Sequence, residues 1–425
     1  MTDRQPSVLI VAAKRWPSSA RLAIALIRNG CRVGAVYPAG HPLSFVTGID
    51  HVRQYSGIAS YSSLRRCISE WPPDVLIPCD DGVVAQMHEL HRREPQFRDL
   101  IERSIGCPNT YSIVTSRFEL LNTAENLGIR VPRTMRVRSA EDLIAWHRDN
   151  DSTSVLKVDL ESGGSGVRIS RSLDEALSAW RELSPRPTAA HAWKRLIIDR
   201  DPLAIWMRSN RSGRDVTIQR FITGRPANSM LLSRQGTVIS QASVMVVASD
   251  GPTGAATIIR HVNDRRMAQA GELLAEKLQL SGFCGLDFMI EADTGEPYLI
   301  ELNPRCTQLG HLGFAGKGSL AGAFTADLKN EPHRCALRPI RPGTIALFPQ
   351  AFGDVSARSQ HLALSHHDIP WEEPRLAREL MLEPWPTRRW MSRLYHLFRP
   401  VARLAPVVFE EAGPSFGNKR HRAVS

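Results

Sequence analysis

The sequence predicts an α/β chain that gives way to an α+β body. Three observations predict it. Over the first hundred residues, short apolar runs alternate with stretches of helical periodicity, the pattern of a parallel sheet with crossover helices. Between residues 154 and 302, β-branched segments follow one another across turn residues, the pattern of antiparallel strands. The length of 425 residues, set against roughly 150 per domain, allows two to four domains.

Ser7–Ala13 (SVLIVAA) is uniformly apolar, as a strand buried on both faces must be. Ser18–Arg28 carries Leu22, Ala23, Leu26 and Ile27 at helical spacing and stops at Asn29-Gly30. Arg32–Tyr37 is a second strand, Tyr61–Glu70 a helix and Asp74–Pro78 a third strand. Right-handed crossovers make this half Rossmann-like. Its first strand runs into Ala12-Ala13-Lys14-Arg15-Trp16 rather than G-x-G-x-x-G, which disfavours a dinucleotide cofactor. A helix from about Arg117 to Asn126 ends at Leu127-Gly128-Ile129, and Val131-Pro132 opens an extended segment. Ser154–Val158 and Val167-Arg168-Ile169 are strands about a glycine-rich turn, Glu161-Ser162-Gly163-Gly164-Ser165-Gly166, and Leu173–Glu182 is a helix. Residues 184–215 read as an insertion. Val216–Ile222, Val238–Val247 and Ala255–Ile259 are strands, and Met267–Leu280 is an amphipathic helix. Gly285–Ile290 and Tyr298–Leu302 form a hairpin across Asp293-Thr294-Gly295-Glu296, and Thr344–Phe348 adds a strand.

Composition excludes several classes. The net charge is +11, but only seven of the 54 basic residues are Lys and the Arg residues are scattered, so no nucleic-acid stripe is expected. The seven cysteines contain no C-x-x-C pair, which argues against a zinc site or a disulfide framework and for reduced thiols. No segment reaches the roughly 18 apolar residues of a membrane span, and the apolar start meets Lys14-Arg15 too soon for a secretory signal. A cytoplasmic location is the expectation.

Two constellations can carry chemistry. Lys157 precedes the glycine-rich turn, where backbone N–H groups can converge on an anion and the ammonium adds a point charge; a ligand-free hairpin turn is the competing reading. In a chain so rich in Arg, a lysine here points to a need for a flexible primary amine. Asp287 and Glu301 lie on the two strands of the hairpin, and Asn303 shares the face of Glu301 by the period of two. Two carboxylates and an amide are hard ligands suited to Mg²⁺. The alternative is a solvated polar stripe, but Ile300 and Leu302 flank Glu301 and speak for burial. Arg305 lies just beyond.

Lys157 with Glu161–Gly166, then Gln219-Arg220-Phe221-Ile222-Thr223-Gly224, then Gly285–Phe288, then Ile300-Glu301-Leu302-Asn303-Pro304-Arg305, resembles the ATP-grasp superfamily in order and spacing over about residues 8–325. That superfamily holds carboxylate–amine ligases and enzymes of the biotin carboxylase and carbamoyl phosphate synthetase type. The resemblance implies an ATP-grasp fold with a Rossmann-like pre-ATP-grasp domain over residues 1–110. It further implies a lid subdomain over 111–222, a metal-bearing C-domain over 223–330 and a C-terminal extension over 331–425. ATP and Mg²⁺, or Mn²⁺, are the implied cofactors. Lys157 would contact ATP, Gly163, Gly164, Ser165 and Gly166 would cover its phosphates, and Gln219, Arg220, Phe221 and Ile222 would form the hinge along adenine. Asp287, Glu301 and Asn303 would hold the metal, and Arg305 would stabilise an acyl-phosphate. An earlier lysine of the family falls on Arg117, a departure that leaves either a phosphate contact or a solvated helix start. The implied activity is an ATP-dependent ligase joining a small-molecule carboxylate to an amine, with a carboxylase or a non-catalytic nucleotide-binding scaffold as alternatives.

Beyond these residues the signals thin. Arg260 is a candidate catalytic contact, or a surface strand residue. Gln308 and His311, after Arg305, are candidate substrate contacts. Asp80-Asp81 ends the third strand and can face a ligand or cap a helix. Residues 384–409 carry five Arg and no acid among aromatic residues, a pattern that fits either a terminal helix packed on the domain, which is the expectation, or peripheral contact with an anionic membrane. Residues 412–425 are expected to be disordered, and a homodimer is the default assembly.

Overall fold

The computed structural model describes residues 4–149, 153–159, 166–185, 188–210, 215–314, 318–332, 343–353, 359–398 and 407–409. The expectations for Gly163, Gly164, Ser165 and residues 412–425 lie outside the described residues.

The N-terminal sheet holds four parallel strands in the order Ile49–Gln54, Arg32–Tyr37, Ser7–Val11, Val75–Pro78. Val8 and Ile10 enter one core and Leu9 and Val11 the other, which is why that strand is apolar without a break. The sequence reading found three of the four. Ile49–Gln54 escaped it because this edge strand alternates half-buried and exposed residues and includes Asp50, Arg53 and Gln54.

A four-stranded antiparallel sheet follows, in the order Thr134–Val137, Val216–Arg220, Ser154–Val158, Val167–Ser170. Leu156, Val158, Val216 and Ile218 pack there against helices Ala140–Asp149 and Leu173–Leu183. The presumed insertion holds helices Ala189–Ile197 and Ala204–Asn210, and Leu203 and Met207 pack into the N-terminal core.

The largest sheet runs Pro297–Asn303, Gly282–Glu291, Gly224–Arg234, Thr237–Ser249, Ala256–Val262, Thr344–Leu347, His366–Asp368, with Val407–Val408 pairing on Thr237–Ser249. One face packs on helix Arg265–Leu278. The other shares a core with the N-terminal sheet through Met230, Leu232, Val244 and Val246.

Buried ion pairs tie the C-terminal extension to both bodies. Asp368 accepts from Arg21 at 2.5 Å and lies 2.7 Å from His311 Nε2. Burial alone would push its carboxyl up, but His311 and Arg21 outweigh burial and hold it below the ordinary value. A depressed carboxyl contributes stability that is complete above its unfolded pKa and lost on acidification through the folded one. Asp368→Ala is therefore expected to cost about 3 kcal/mol at neutral pH, since it strands His311 and leaves Arg21 only its longer pairing with Glu372 at 3.8 Å. Thermal melts check this; an unchanged transition would mean the pairs contribute nothing.

Helix Trp390–Phe398 packs through Ser392, whose hydroxyl donates to the Ile198 carbonyl at 2.8 Å, and through Tyr395, whose ring lies 5.7 Å from Lys194 Nζ. Trp390 and Leu397 face outward, each at least 70 % exposed, so the aromatic face does not pack as a unit.

Candidate active site

Strand register brings the carboxylates together. Asp287 sits opposite Glu301 on one side and Asn228 on the other. Side chains alternate along a strand, so Asn303 joins the same face. Asn228 Nδ2 donates to Asp287 Oδ1 at 2.6 Å, and Asn303 Nδ2 donates to Asp287 Oδ2 at 3.1 Å. Asn303 Oδ1 accepts from Arg305 at 2.9 Å, which uses one of its two lone pairs. Arg305 is buried, donates to Asp81 Oδ1 at 2.7 Å, and lies 4.9 Å from the Trp16 ring. Burial, then the charge of Glu301, pushes the Asp287 carboxyl up.

Two cations face this pair. Lys157 is buried on the Ser154–Val158 strand; burial, then the charge of Arg117, draws it down to about 8. Arg117 opens helix Arg117–Asn126 and is also buried. Its guanidinium donates to Glu301 Oε1 at 2.8 Å, to Asp159 Oδ1 at 3.1 Å and to the Val158 carbonyl at 3.3 Å. A solvated helix start is thus excluded. Burial pushes the Asp159 carboxyl up to about 6 against the pull of Arg117.

A cavity of about 560 Å³ joins these groups. Arg117, Lys157, Gly166, Gln219, Arg220, Phe221, Ile222, Asp287, Glu301, Asn303, Arg305 and Gln308 all line it. Gln219, Val155 and Ile169 are register neighbours and make an apolar slot with a polar edge. Gln219 is 1 % exposed and its Nε2 has no partner among the described residues. A buried donor of that kind suits a polar ligand atom.

Two expectations are corrected. Arg260 pairs with Met245, one residue out of step with Val244 and Asn228, so it faces the side of the sheet away from the carboxylates and does not line the cavity. His311 is held by Asp368 and does not line it either. Both failures are non-local: the first depends on strand register, the second on a partner 57 residues away. Asp80 is the helix cap, accepting from the N–H groups of Val83 and Ala13, whereas Asp81 binds Arg305. Sequence reading missed Asn228, Asp159 and Trp16. Only Trp16, at the end of the first parallel strand, sat where a positional rule could have found it.

Residues 203–308 match the family model for an ATP-grasp domain. Solved structures resemble much more of the chain. The L-amino acid ligase from Bacillus licheniformis is 15 % identical over 81 % of this chain and 79 % of its own, with a TM-score of 0.54. The ATP-complexed carboxyaminoimidazole ribonucleotide synthase of Aspergillus clavatus is 14 % identical over 79 % and 80 %, at 0.57. The biotin carboxylase domain of the Hydrogenobacter thermophilus 2-oxoglutarate carboxylase is 13 % identical over 80 % and 73 %, at 0.56. This is an ATP-grasp fold. No curated protein sequence matches the chain. Among the described residues, no helix is long and apolar enough to cross a membrane.

The donor set of the ATP-grasp body fits a divalent cation. Asp287 accepts from two neutral amides while facing a second carboxylate, and Asn303 keeps an oxygen lone pair. Among the described residues no cluster of three His, Cys, Asp or Glu offers a rival site. Hard oxygen ligands of this kind suit Mg²⁺ or Mn²⁺.

Proposed function

We propose that this ATP-grasp protein is an ATP- and Mg²⁺-dependent ligase that activates a carboxylate as an acyl-phosphate and joins it to an amine. The observation that carries this reading is the convergence of the half-buried carboxylates Asp287 and Glu301, Lys157, the Gln219–Ile222 segment and Arg305 on one cavity. The slot of Val155 and Ile169 beside Gln219 takes the adenine ring. Lys157 and the turn ending at Gly166 hold the phosphates. Asp287, Glu301 and Asn303 hold Mg²⁺, which neutralises phosphate charge when bound. Arg305, fixed by Asp81 and Asn303, orients the acid. A carboxylate oxygen attacks the γ-phosphorus and ADP leaves. The amine then attacks the acyl carbon, phosphate leaves with the C–O bond electrons, and the amine proton passes to solvent. The protein's part is positioning and charge neutralisation.

ATP titrations by calorimetry with and without Mg²⁺, and phosphate release with acids and amines, test it. Mg²⁺-dependent binding and release that needs both substrates are expected. Release with bicarbonate alone would move the assignment to a carboxylase. The bond from Arg117 to Glu301 favours one other reading, a nucleotide-binding scaffold without turnover, because a guanidinium holds a carboxylate meant for the cation. That reading requires ATP binding indifferent to Mg²⁺ and no release.

Lys157 supplies a further prediction. A depressed ammonium leaves the folded chain with fewer protons than the unfolded one between about pH 8 and the ordinary lysine value, so stability rises with pH across that window. At pH 7 the charged form is a burden on the ligand-free protein. Lys157→Met should therefore raise the ligand-free melting temperature at pH 7 while weakening ATP binding about 10–100-fold, the worth of a hydrogen bond to a charged group. Wild-type affinity should fall from pH 7.5 to 9.5, and the variant's should not. An equal ATP dissociation constant in the two proteins would remove Lys157 from the site.

A further inference from the structure

The cavity does not end at the carboxylates. It continues across the sheet from Asp287 and Asn228 over strands Thr237–Ser249 and Ala256–Val262. There the wall is mostly apolar and uncharged: Trp16, Val246, Ala256, Leu309, Val407 and Phe409 outweigh the neutral polar side chains of Ser249, Thr253 and Gln350. Val407 and Phe409 come from the far end of the chain. Val407 pairs with Ser249, Val408 pairs with Ala248, and the Phe409 N–H donates to the Val247 carbonyl at 3.0 Å. Strand alternation turns Val407 and Phe409 into the cavity, while Val408 packs among Val247, Ala248 and Ile258. Asp287 and Glu301 are the only acids among the described lining residues, and both are already engaged, Asp287 by two amides and Glu301 by Arg117. Arg305 stands at the junction, against Trp16.

We infer that this chamber takes the side chain of the acid substrate, that the acid carries an uncharged apolar group rather than an ammonium, and that the C-terminal strand sets this preference. The inference rests on the ligase reading for the word substrate. The physical basis is separate. An apolar wall gains from each methylene removed from water, about 0.8 kcal/mol. A cation placed there meets no free counter-charge among the described residues and must shed its hydration. The carboxylate end stays beside Arg305, where a guanidinium pairs with it.

The test is calorimetric titration of the full chain with acetate, hexanoate and 6-aminohexanoate, each with and without a non-hydrolysable ATP analogue. Hexanoate is expected to bind at least tenfold more tightly than acetate and than 6-aminohexanoate. Phe409→Ala is expected to erase most of that preference and Phe409→Leu to keep it, with the dissociation constant of the ATP analogue within twofold of wild type in both. The backbone bond from Phe409 does not depend on its side chain, so the strand should stay in place. Val407→Ala gives a second, smaller truncation of the same wall. Equal binding of the three acids, tighter binding of 6-aminohexanoate, or a preference unmoved in both alanine variants would overturn the inference. If the ATP analogue fails to bind while the hexanoate preference and its loss in Phe409→Ala persist, the ligase reading falls and the apolar-acid chamber stands.

Discussion

Glu301→Gln is expected to lower Mg²⁺·ATP-dependent phosphate release by about 10²–10³-fold, the usual cost of losing one preorganised charged group at a reacting centre. The substitution keeps shape and removes charge. Glu301 faces Asp287 directly across the hairpin, so the variant loses half of the paired carboxylates. The fold should survive. Arg117 keeps Asp159, and Asp287 no longer faces a like charge. A pH signature separates this from a merely structural role. The Asp287 carboxyl is raised by burial and then by Glu301. A raised carboxyl lets the folded chain hold more protons than the unfolded chain between the ordinary value and the raised one. Stability therefore falls as pH rises through that window, and the cost is complete above it. A cation relieves that cost. The gain in melting temperature on adding Mg²⁺·ATP should thus grow from pH 5.5 to 7.5 in the wild type and grow less in Glu301→Gln, where burial alone still raises Asp287. Wild-type turnover in the variant would take Glu301 out of the site.

How far such a site can be read in advance depends on whether its parts are local. Ser7–Val11 was legible because burial on both faces leaves no place for a polar residue. The hairpin carrying Asp287 and Glu301 was legible from its turn, where Gly295 adopts φ +69°, and from the period of two on each side. The strand Gly224–Arg234 was not. It is central to the largest sheet and carries Asn228, yet Arg225, Pro226 and Asn228 break its apolar signal near the start. Arg225 and Pro226 pair with Ile290 and Met289 beside the cavity mouth, and Asn228 faces Asp287, so polarity there reflects the site rather than a loop. The ATP-grasp resemblance placed the carboxylates, Lys157 and Arg305 on one cavity's residues. It had no purchase on the C-terminal extension, whose Asp368 captures His311 and whose Phe409 walls the far chamber. These are contacts between segments 57 and 160 or more residues apart, and no local pattern encodes them.

Arg117→Ala is expected to be the most destabilising single change in the site, by about 3 kcal/mol, the low end of the cost of removing one partner of a buried ion pair, because Asp159 and Glu301 are only half-buried. One guanidinium joins three elements. It begins helix Arg117–Asn126, binds Asp159 at the end of the Ser154–Val158 strand, and binds Glu301 on the metal-facing hairpin. Removing it leaves Asp159 beside Glu301, and Glu301 beside Asp287, with Lys157 and Arg305 as the cations that remain near the pair. Asp159 titrates at about 6 even with Arg117 present, because burial outweighs the pairing. Without Arg117 it should rise further. By the same linkage, the variant falls behind the wild type only as pH climbs past about 6, where wild-type Asp159 has lost its proton and the variant's has not, so the deficit of Arg117→Ala should be small at pH 5 and larger at pH 7.5. Arg117→Lys should recover part of the loss, since one ammonium restores the charge but not the planar fork that reaches two carboxylates and a carbonyl at once. Mg²⁺·ATP should rescue Arg117→Ala more than it stabilises the wild type, because the cation takes over neutralisation of Glu301. Thermal melts of the three proteins at pH 5 and 7.5, with and without Mg²⁺·ATP, decide the matter. An Arg117→Ala protein as stable as wild type at pH 7.5 would show that the bridge is incidental. A deficit independent of both pH and Mg²⁺·ATP would make Arg117 a packing residue and leave the carboxylates electrostatically independent of it.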